Sequence, residues 1–187
     1  MPSFPDLNAP LRGDRVALRP AAERDIPEVL IAHQDDPDLH VRLGLRRPPS
    51  GAELGRRVEG GPADREAGTA VWLTIVRLGE DDCIGQIDVH EVDSDHDRAQ
   101  LGIWVALGER GRGFGGEALG LAARWLLTDG GLERVQLLTE PGNIAMLRAA
   151  QAAGFAREGV LYAYLRERGA RVDCEMLSLI TADVGAR

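Results

Sequence analysis

Between Ala70 and Ala106 three apolar runs follow one another: AVWLTIVRL (Ala70 to Leu78), CIGQIDVHE (Cys83 to Glu91) and RAQLGIWVA (Arg98 to Ala106). Only the short polar stretches Gly79 to Asp82 and Val92 to Asp97 separate them. Connections that short leave no room for a crossover helix, so the runs are expected to be antiparallel neighbours in one sheet. Directly after them, Arg110 to Gly116 reads RGRGFGG and opens an amphipathic stretch with Ala118, Leu121, Ala122, Trp125 and Leu126 on one face. A strand that runs into a glycine-rich loop at a helix start turns a row of backbone N–H groups outward. That is a cradle for an anion, best of all a pyrophosphate.

The flanking sequence supplies the other elements. Arg15 to Arg19 alternates like a short strand, and Ala21 to Gln34 has helical spacing that Pro37 ends. Ser50 is an N-cap for a second helix over Ala52 to Glu59, before a Gly60-Gly61-Pro62 loop. The helix after the glycine run stops at Gly130-Gly131, and Arg134 to Thr139 is a fifth strand. Asn143 to Ala153 is a helix capped by Gly154, and Phe155 to Arg168 and Arg171 to Ile180 form a terminal hairpin around Arg168-Gly169-Ala170. The order is β-α-α-β-β-β-α-β-α-β-β, an α/β chain. At 187 residues and 44 % apolar content, residues 1–187 are expected to form a single domain.

Composition narrows the chemistry. All 22 basic residues are Arg, so Schiff-base catalysis and a P-loop lysine are excluded. A net charge of −8 argues against nucleic acid and mildly for cationic partners such as amines. Cys83 and Cys174 have no C-x-x-C spacing and read as buried, reduced thiols, and His33, His40, His90 and His96 make no zinc pattern. Asp93, Asp95 and Asp97 have D-x-D-x-D spacing, but Arg98 replaces the glycine of a calcium loop and Trp104 its bidentate Glu. No metal is expected. With no basic and apolar leader at Met1 to Asn8 and no long uncharged apolar run, the expectation is a soluble, cytoplasmic protein without a membrane partner.

In order and spacing the chain resembles the GNAT superfamily of N-acetyltransferases, and within it the Rim-type (RimJ/RimL-like) enzymes that acetylate ribosomal-protein N-termini. The resemblance rests on Arg110, Gly113 and Gly115 in the loop and on Leu18, Arg19, Ala21 and Asp25 early in the chain. Ile84-Gly85, Leu101 to Trp104, Asn143, Gly154-Phe155, Glu158 to Val160 and Asp173 add to it. It implies the GNAT fold, a mixed, mostly antiparallel central sheet flanked by helices. It also implies acetyl-CoA as acyl donor, a primary-amine acceptor (a protein N-terminus or a small molecule), direct attack in a ternary complex, and in many members a homodimer. Carried over by position, the pyrophosphate would lie on the amides of Arg110, Gly111, Arg112, Gly113, Phe114, Gly115 and Gly116. Trp104, Val105 and Ala106 would meet pantetheine on a strand that splays from its neighbour, and Asn143 would contact pantetheine too.

This chain departs from the family where a proton donor is expected: Met146 stands in place of a Ser and Ala150 in place of a Tyr. No side-chain general acid is therefore expected on that helix, and the departing thiolate takes its proton from water or from the incoming amine. Related enzymes often have Glu where this chain has Gln100, which cannot accept a proton. The base candidates are Glu91 and His90 first, then Asp88 and Glu140. A rival reading uses Gly111, Gly113 and Gly116 as a G-x-G-x-x-G dinucleotide fingerprint with Glu140 as its ribose acid. One β-α-β unit after three antiparallel strands opposes it. A third reading is a catalytically silent acyl-CoA sensor.

Overall fold

The computed structural model describes residues 3–167 and 169–184. In chain order the elements are β1 (Leu11–Arg12), β2 (Val16–Pro20), a 3-10 turn (Glu23–Asp25), α1 (Ile26–Asp35), α2 (Leu39–Arg42), α3 (Gly51–Glu66), β3 (Val71–Arg77), β4 (Gly85–Asp93) and β5 (Arg98–Val105). After a second 3-10 turn (Leu107–Glu109) come α4 (Phe114–Thr128), β6 (Arg134–Thr139), α5 (Ile144–Ala153), β7 (Ala156–Glu167), β8 (Ala170–Ile180) and α6 (Thr181–Val184). The strands form one eight-stranded sheet in the order β1-β2-β3-β4-β5-β6-β8-β7. β2 to β5 are antiparallel as the short turns require, β5 and β6 are the parallel pair, and β8 lies between β6 and β7. This is the expected GNAT arrangement.

Alternation along the strands separates two faces. Val71, Leu73 and Ile75 of β3, Ile87 and Val89 of β4, and Ala99 and Leu101 of β5 are buried in one cluster with Ala118, Leu119, Ala122, Trp125 and Leu126 of α4. The opposite face carries Trp72 and Thr74, then Gln86, Asp88 and His90, then Gln100, Gly102 and Trp104. Over this face lies a smaller cluster in which Trp104 joins Val29, Leu39 and Leu54 from α1, α2 and α3. The apolar side of the sheet is the core, and the side that carries the polar groups faces the early helices.

The early L-R-x-A-x-x-x-D pattern is structural. Arg19 is 8 % exposed and Asp25 2 %, and they form two hydrogen bonds, 2.8 and 2.6 Å. Asp25 also accepts from the Thr74 hydroxyl (2.6 Å) and the Ala22 amide (2.9 Å). Burial would raise the Asp25 pKa, but these donors and the Arg19 charge outweigh it and hold it below the ordinary value. The pair fixes the start of α1 on β3 and β2.

The structure differs from the sequence reading at element ends. α3 continues to Glu66 through Gly60-Gly61-Pro62, a run whose composition predicts a loop. Leu54, Arg57, Val58, Gly61 and Arg65 keep helical spacing on its inner side, and Pro62 costs the helix a single backbone bond. The first helix starts at Ile26, after a 3-10 turn, and β4 starts at Gly85. β1, α2 and α6 are too short to leave a periodic signal. In the terminal hairpin, Arg168 lies outside the described residues.

Candidate active site

The loop at Arg110 to Gly116 owes its shape to two glycines in the left-handed region, Gly111 at φ +77° and Gly113 at φ +82°. Gly113 is the N-cap of α4 and offers the helix no side-chain acceptor. Among the described residues, the amides of Gly111, Arg112 and Gly113 donate to no protein acceptor. Phe114 and Gly115, in the first turn, have no intrahelical acceptor to reach. Unsatisfied donors converging at the positive end of a fifteen-residue helix fit a pyrophosphate.

The loop arginines serve other ends. Arg110 donates through Nε to the Val105 carbonyl (2.8 Å) and through Nη2 to Asp36 (2.7 Å), tying the loop to β5 and to the end of α1. Arg112 is exposed and pairs with Glu109 at 3.3 Å. Arg15, which the sequence did not single out, lies against Gly113. It donates to the Arg112 carbonyl (2.8 Å), pairs with Glu117 (3.0 Å) and lies 5.8 Å from the centre of the Phe114 ring. Glu117 in turn accepts from the Arg15 and Val16 amides (2.7 and 3.2 Å), which docks the loop on β2. Gly116 also has a packing role, since a Cβ there would sit 3.1 Å from the Ala149 carbonyl of α5.

Beside the loop the sheet opens. β5 and β6 pair from Arg98↔Arg134 to Leu101↔Leu137, yet β5 runs on to Val105 and β6 to Thr139. Beyond Leu101, the β6-facing edge of β5 therefore carries backbone groups that no strand takes up. Trp104 turns its ring to the early helices. Ala106 gives its amide to Ile84 (2.9 Å), and the Val105 carbonyl is held by Arg110, so the free groups lie nearer Gly102 than the loop. Asn143 is the N-cap of α5 and accepts from the Met146 amide at 3.2 Å, and among the described residues its own NH2 donates to no protein acceptor. Ala150 is fully buried and Met146 packs against the core, so neither carries a proton.

The polar face of the sheet holds one titratable chain. His90 Nδ1 lies 2.6 Å from Asp88 Oδ2, and His90 Nε2 lies 3.0 Å from the Gln100 amide nitrogen. An ionised Asp88 only accepts, so Nδ1 carries the proton and Nε2 presents its lone pair to Gln100. Burial would lower the His90 pKa. The hydrogen bond and charge of Asp88, with a contribution from Glu91, outweigh that and leave it above 6.5. Gly102, directly opposite Asp88, explains its own place in the L-G-I-W mark: a Cβ there would lie 2.6 Å from Asp88 Oδ1. Gly85 is similar, with the Trp104 carbonyl at 2.4 Å from a built Cβ.

The other base candidates stand apart. Glu91 is exposed, sits at the bulge after His90 with φ +49°, and among the described residues its side chain makes no hydrogen bond. Glu140 lies past the end of β6, outside the Asp88–His90–Gln100 chain. Cys83 and Cys174 are buried, and burial pushes the Cys83 thiol up to about 12, so no thiolate nucleophile is at hand. Among the described residues no group of three or more His, Cys, Asp or Glu is placed to hold a metal, and no helix is long and apolar enough to cross a membrane.

A parallel pair that opens just where a glycine-rich helix start offers free amides suits an extended, pyrophosphate-bearing thioester, and this places the protein among the acyltransferases. The acetyltransferase (GNAT) domain matches residues 15–156, and the chain belongs to that family. It is 27 % identical over 113 residues to the uncharacterized N-acetyltransferase p20 of Bacillus licheniformis, a match covering 60 % of this chain and 64 % of p20. With the uncharacterized N-acetyltransferase YoaA of Bacillus subtilis (strain 168) it shares 24 % identity over 170 residues, 91 % of this chain and 96 % of the relative. Among solved structures, Mycobacterium smegmatis RimJ in complex with CoA-disulfide superposes with a TM-score of 0.76 at 23 % identity, over 94 % of this chain and 91 % of RimJ.

Proposed function

We propose that this chain, as one acetyltransferase domain over residues 1–187, transfers the acetyl group of acetyl-CoA to a primary amine by direct attack, with His90 as the base. The observation that carries the reading is the position of the Asp88–His90 pair on β4, one strand from the free edge of β5 that begins after Leu101. Acetyl-CoA supplies an activated acyl group and a thiolate that leaves readily. The amides of Gly111 to Gly115 hold its pyrophosphate, with Arg15 adding positive charge, and the unpaired β5 edge near Gly102 orients the pantetheine and offers N–H to the thioester oxygen.

His90 removes a proton from the attacking ammonium at Nε2, directly or through a water, and Asp88 stabilises the imidazolium that results. For Nε2 to take that proton, the Gln100 side chain must swing off the lone-pair axis and give up its hydrogen bond to Nε2. Gln100 Oε1 is buried without a hydrogen-bond partner, so no bond at Oε1 holds the side chain in place. An α-amine, with a pKa of about 8, needs little help from such a base at neutral pH. This favours a protein N-terminus or a small amine of similar basicity, in keeping with the likeness to RimJ. We place the reaction in the cytoplasm and expect a homodimer.

Calorimetric titration with acetyl-CoA and, separately, NADH tests the reading. Binding of acetyl-CoA alone, followed by thiol release on adding amines, is the expected result. NADH binding alone would overturn it and make Glu140 a ribose ligand, and acetyl-CoA binding with no turnover on any amine would leave a sensor.

A further inference from the structure

The charge of the whole chain favours a cationic acceptor, yet the charge around the far side of the reacting face has the opposite sign. Where β3 begins, the inner side of α3 and the end of β2 enclose a cavity of about 140 Å³, lined among others by Arg57, Arg65 and Trp72. The Arg57 guanidinium lies 4.0 Å above the centre of the Trp72 ring. Among the described residues no carboxylate forms an ion pair with it; Glu53 is paired with Arg47, and Asp88 is hydrogen-bonded to His90. Arg65 pairs with Asp6, but its Nε is buried without an acceptor, and so is Nε1 of Trp72. The polar side chains lining the cavity are all donors, and two of them are cations. The Arg57 guanidinium is half-buried and has no ion-pair partner, with Asp88 and Glu53 acting on it only at a distance, and buried N–H groups without acceptors are rare, so an absent oxyanion explains all three.

The cavity is aligned with the chemistry. Trp72 is the register partner of Asp88, and Asp88 of Gly102, so the three lie side by side on neighbouring strands. Two strand spacings, roughly 10 Å, separate Gly102 from Trp72. A molecule whose amine reaches the thioester beside Gly102 can lie across β4, past His90, with its other end over Trp72. We infer that the acceptor is an anionic amine, a primary amine whose far end bears a carboxylate or phosphate, and that Arg57, stacked on Trp72 and assisted by the free N–H groups of Arg65 and Trp72, binds that oxyanion. The inference rests on the acetyltransferase reading and names its substrate class. Arg57 here determines specificity and does not touch the reacting atoms.

The test is calorimetric titration of the CoA-bound protein with three amines of matched length, aminocaproate, hexylamine and hexamethylenediamine, for the wild type, Arg57→Met and Arg57→Lys. The expected result is at least tenfold tighter binding of aminocaproate than of the other two by the wild type. Arg57→Met removes that preference, and Arg57→Lys, which keeps the charge and loses the planar fork, retains part of it. Arg57→Met gives up the stacking on Trp72 but no ion pair and keeps an apolar chain over the ring, so it should melt within a few degrees of the wild type, and a lost preference is not a lost fold. Equal binding of the three amines, no binding of any, or a preference that survives in Arg57→Met would overturn the inference. Failure of the wild type to bind acetyl-CoA would sink the transferase reading instead, and the same three titrations without CoA would then decide the anion site by themselves.

Discussion

Gly113→Asp is the substitution that most directly tests whether the loop holds a pyrophosphate. At φ +82° any Cβ is strained, which costs about 1–2 kcal/mol in general and less for Asp and Asn. The built Cβ lies 3.0 and 3.3 Å from the two terminal nitrogens of Arg15, whose side chain can move aside or pair with the new carboxylate. Fold stability should therefore fall by only about 1 kcal/mol, a drop of roughly 2–4 °C in Tm for a chain of this size. The ligand suffers more. A carboxylate about 5 Å from one pyrophosphate charge, at an effective dielectric constant of about 20, opposes it by about 3 kcal/mol, or roughly 10²-fold in Kd. Gly113→Asn is the control, since it has the same shape and backbone strain without the charge. Calorimetry with acetyl-CoA and with S-acetylpantetheine, which lacks the pyrophosphate, separates the terms. Gly113→Asp should lose acetyl-CoA affinity by about two orders of magnitude, Gly113→Asn by far less, and neither should lose acetylpantetheine. If Gly113→Asp binds acetyl-CoA as tightly as Gly113→Asn, charge at the loop is not the cause; if both bind as the wild type does, the loop has no part in binding.

Other outcomes follow from the same geometry. His90→Gln should lower kcat, by about 10²-fold on an amine of lysine-like basicity and by less on an α-amine, with little change in acetyl-CoA affinity, and Glu91→Gln, outside the hydrogen-bonded chain, should change it little; equal rates for wild type and His90→Gln would move the role to Asp88, Glu140 or water. The base acts when neutral, so activity should rise with pH through a His90 pKa above 6.5, and Asp88→Asn, which removes the charge that raises it, should move that limb to lower pH. An unmoved limb in a pH–rate profile would detach Asp88 from His90. Removal of one partner of the buried Arg19–Asp25 pair by Asp25→Ala should cost about 3–5 kcal/mol in urea unfolding. Because the folded pKa of Asp25 is lowered, the stability it gives is present above its unfolded value and is lost as pH falls through the folded one, so acid should narrow the gap between wild type and Asp25→Ala. Gly116→Ala should overpack the α4–α5 contact by about 1–3 kcal/mol, seen as a lower Tm with the loop amides intact.

The sequence by itself determined the middle of this protein. Short polar turns between apolar runs force β3, β4 and β5 to be antiparallel, and four glycines between a strand and a helix force an outward row of amides. Both consequences are local, decided by chain length and backbone sterics within about ten residues. Tertiary structure decided the rest. Gly60-Gly61-Pro62 carries every local mark of a loop, yet packing of α3 over β3 keeps it helical. Nothing in the terminal run says that β8, and not β7, pairs with β6. Asp88, His90 and Gln100 lie ten or more residues apart from end to end, and only the β4–β5 register makes them one chain. Arg15 reaches the loop 97 residues ahead of it through a side-chain bond to the Arg112 carbonyl. Arg57 is an unremarkable helix arginine until the fold half-buries it, stacks it on Trp72 and, among the described residues, gives it no ion-pair partner. Periodicity and turn chemistry act between near neighbours and can be read along the chain, whereas desolvation and charge pairing depend on which distant surfaces meet.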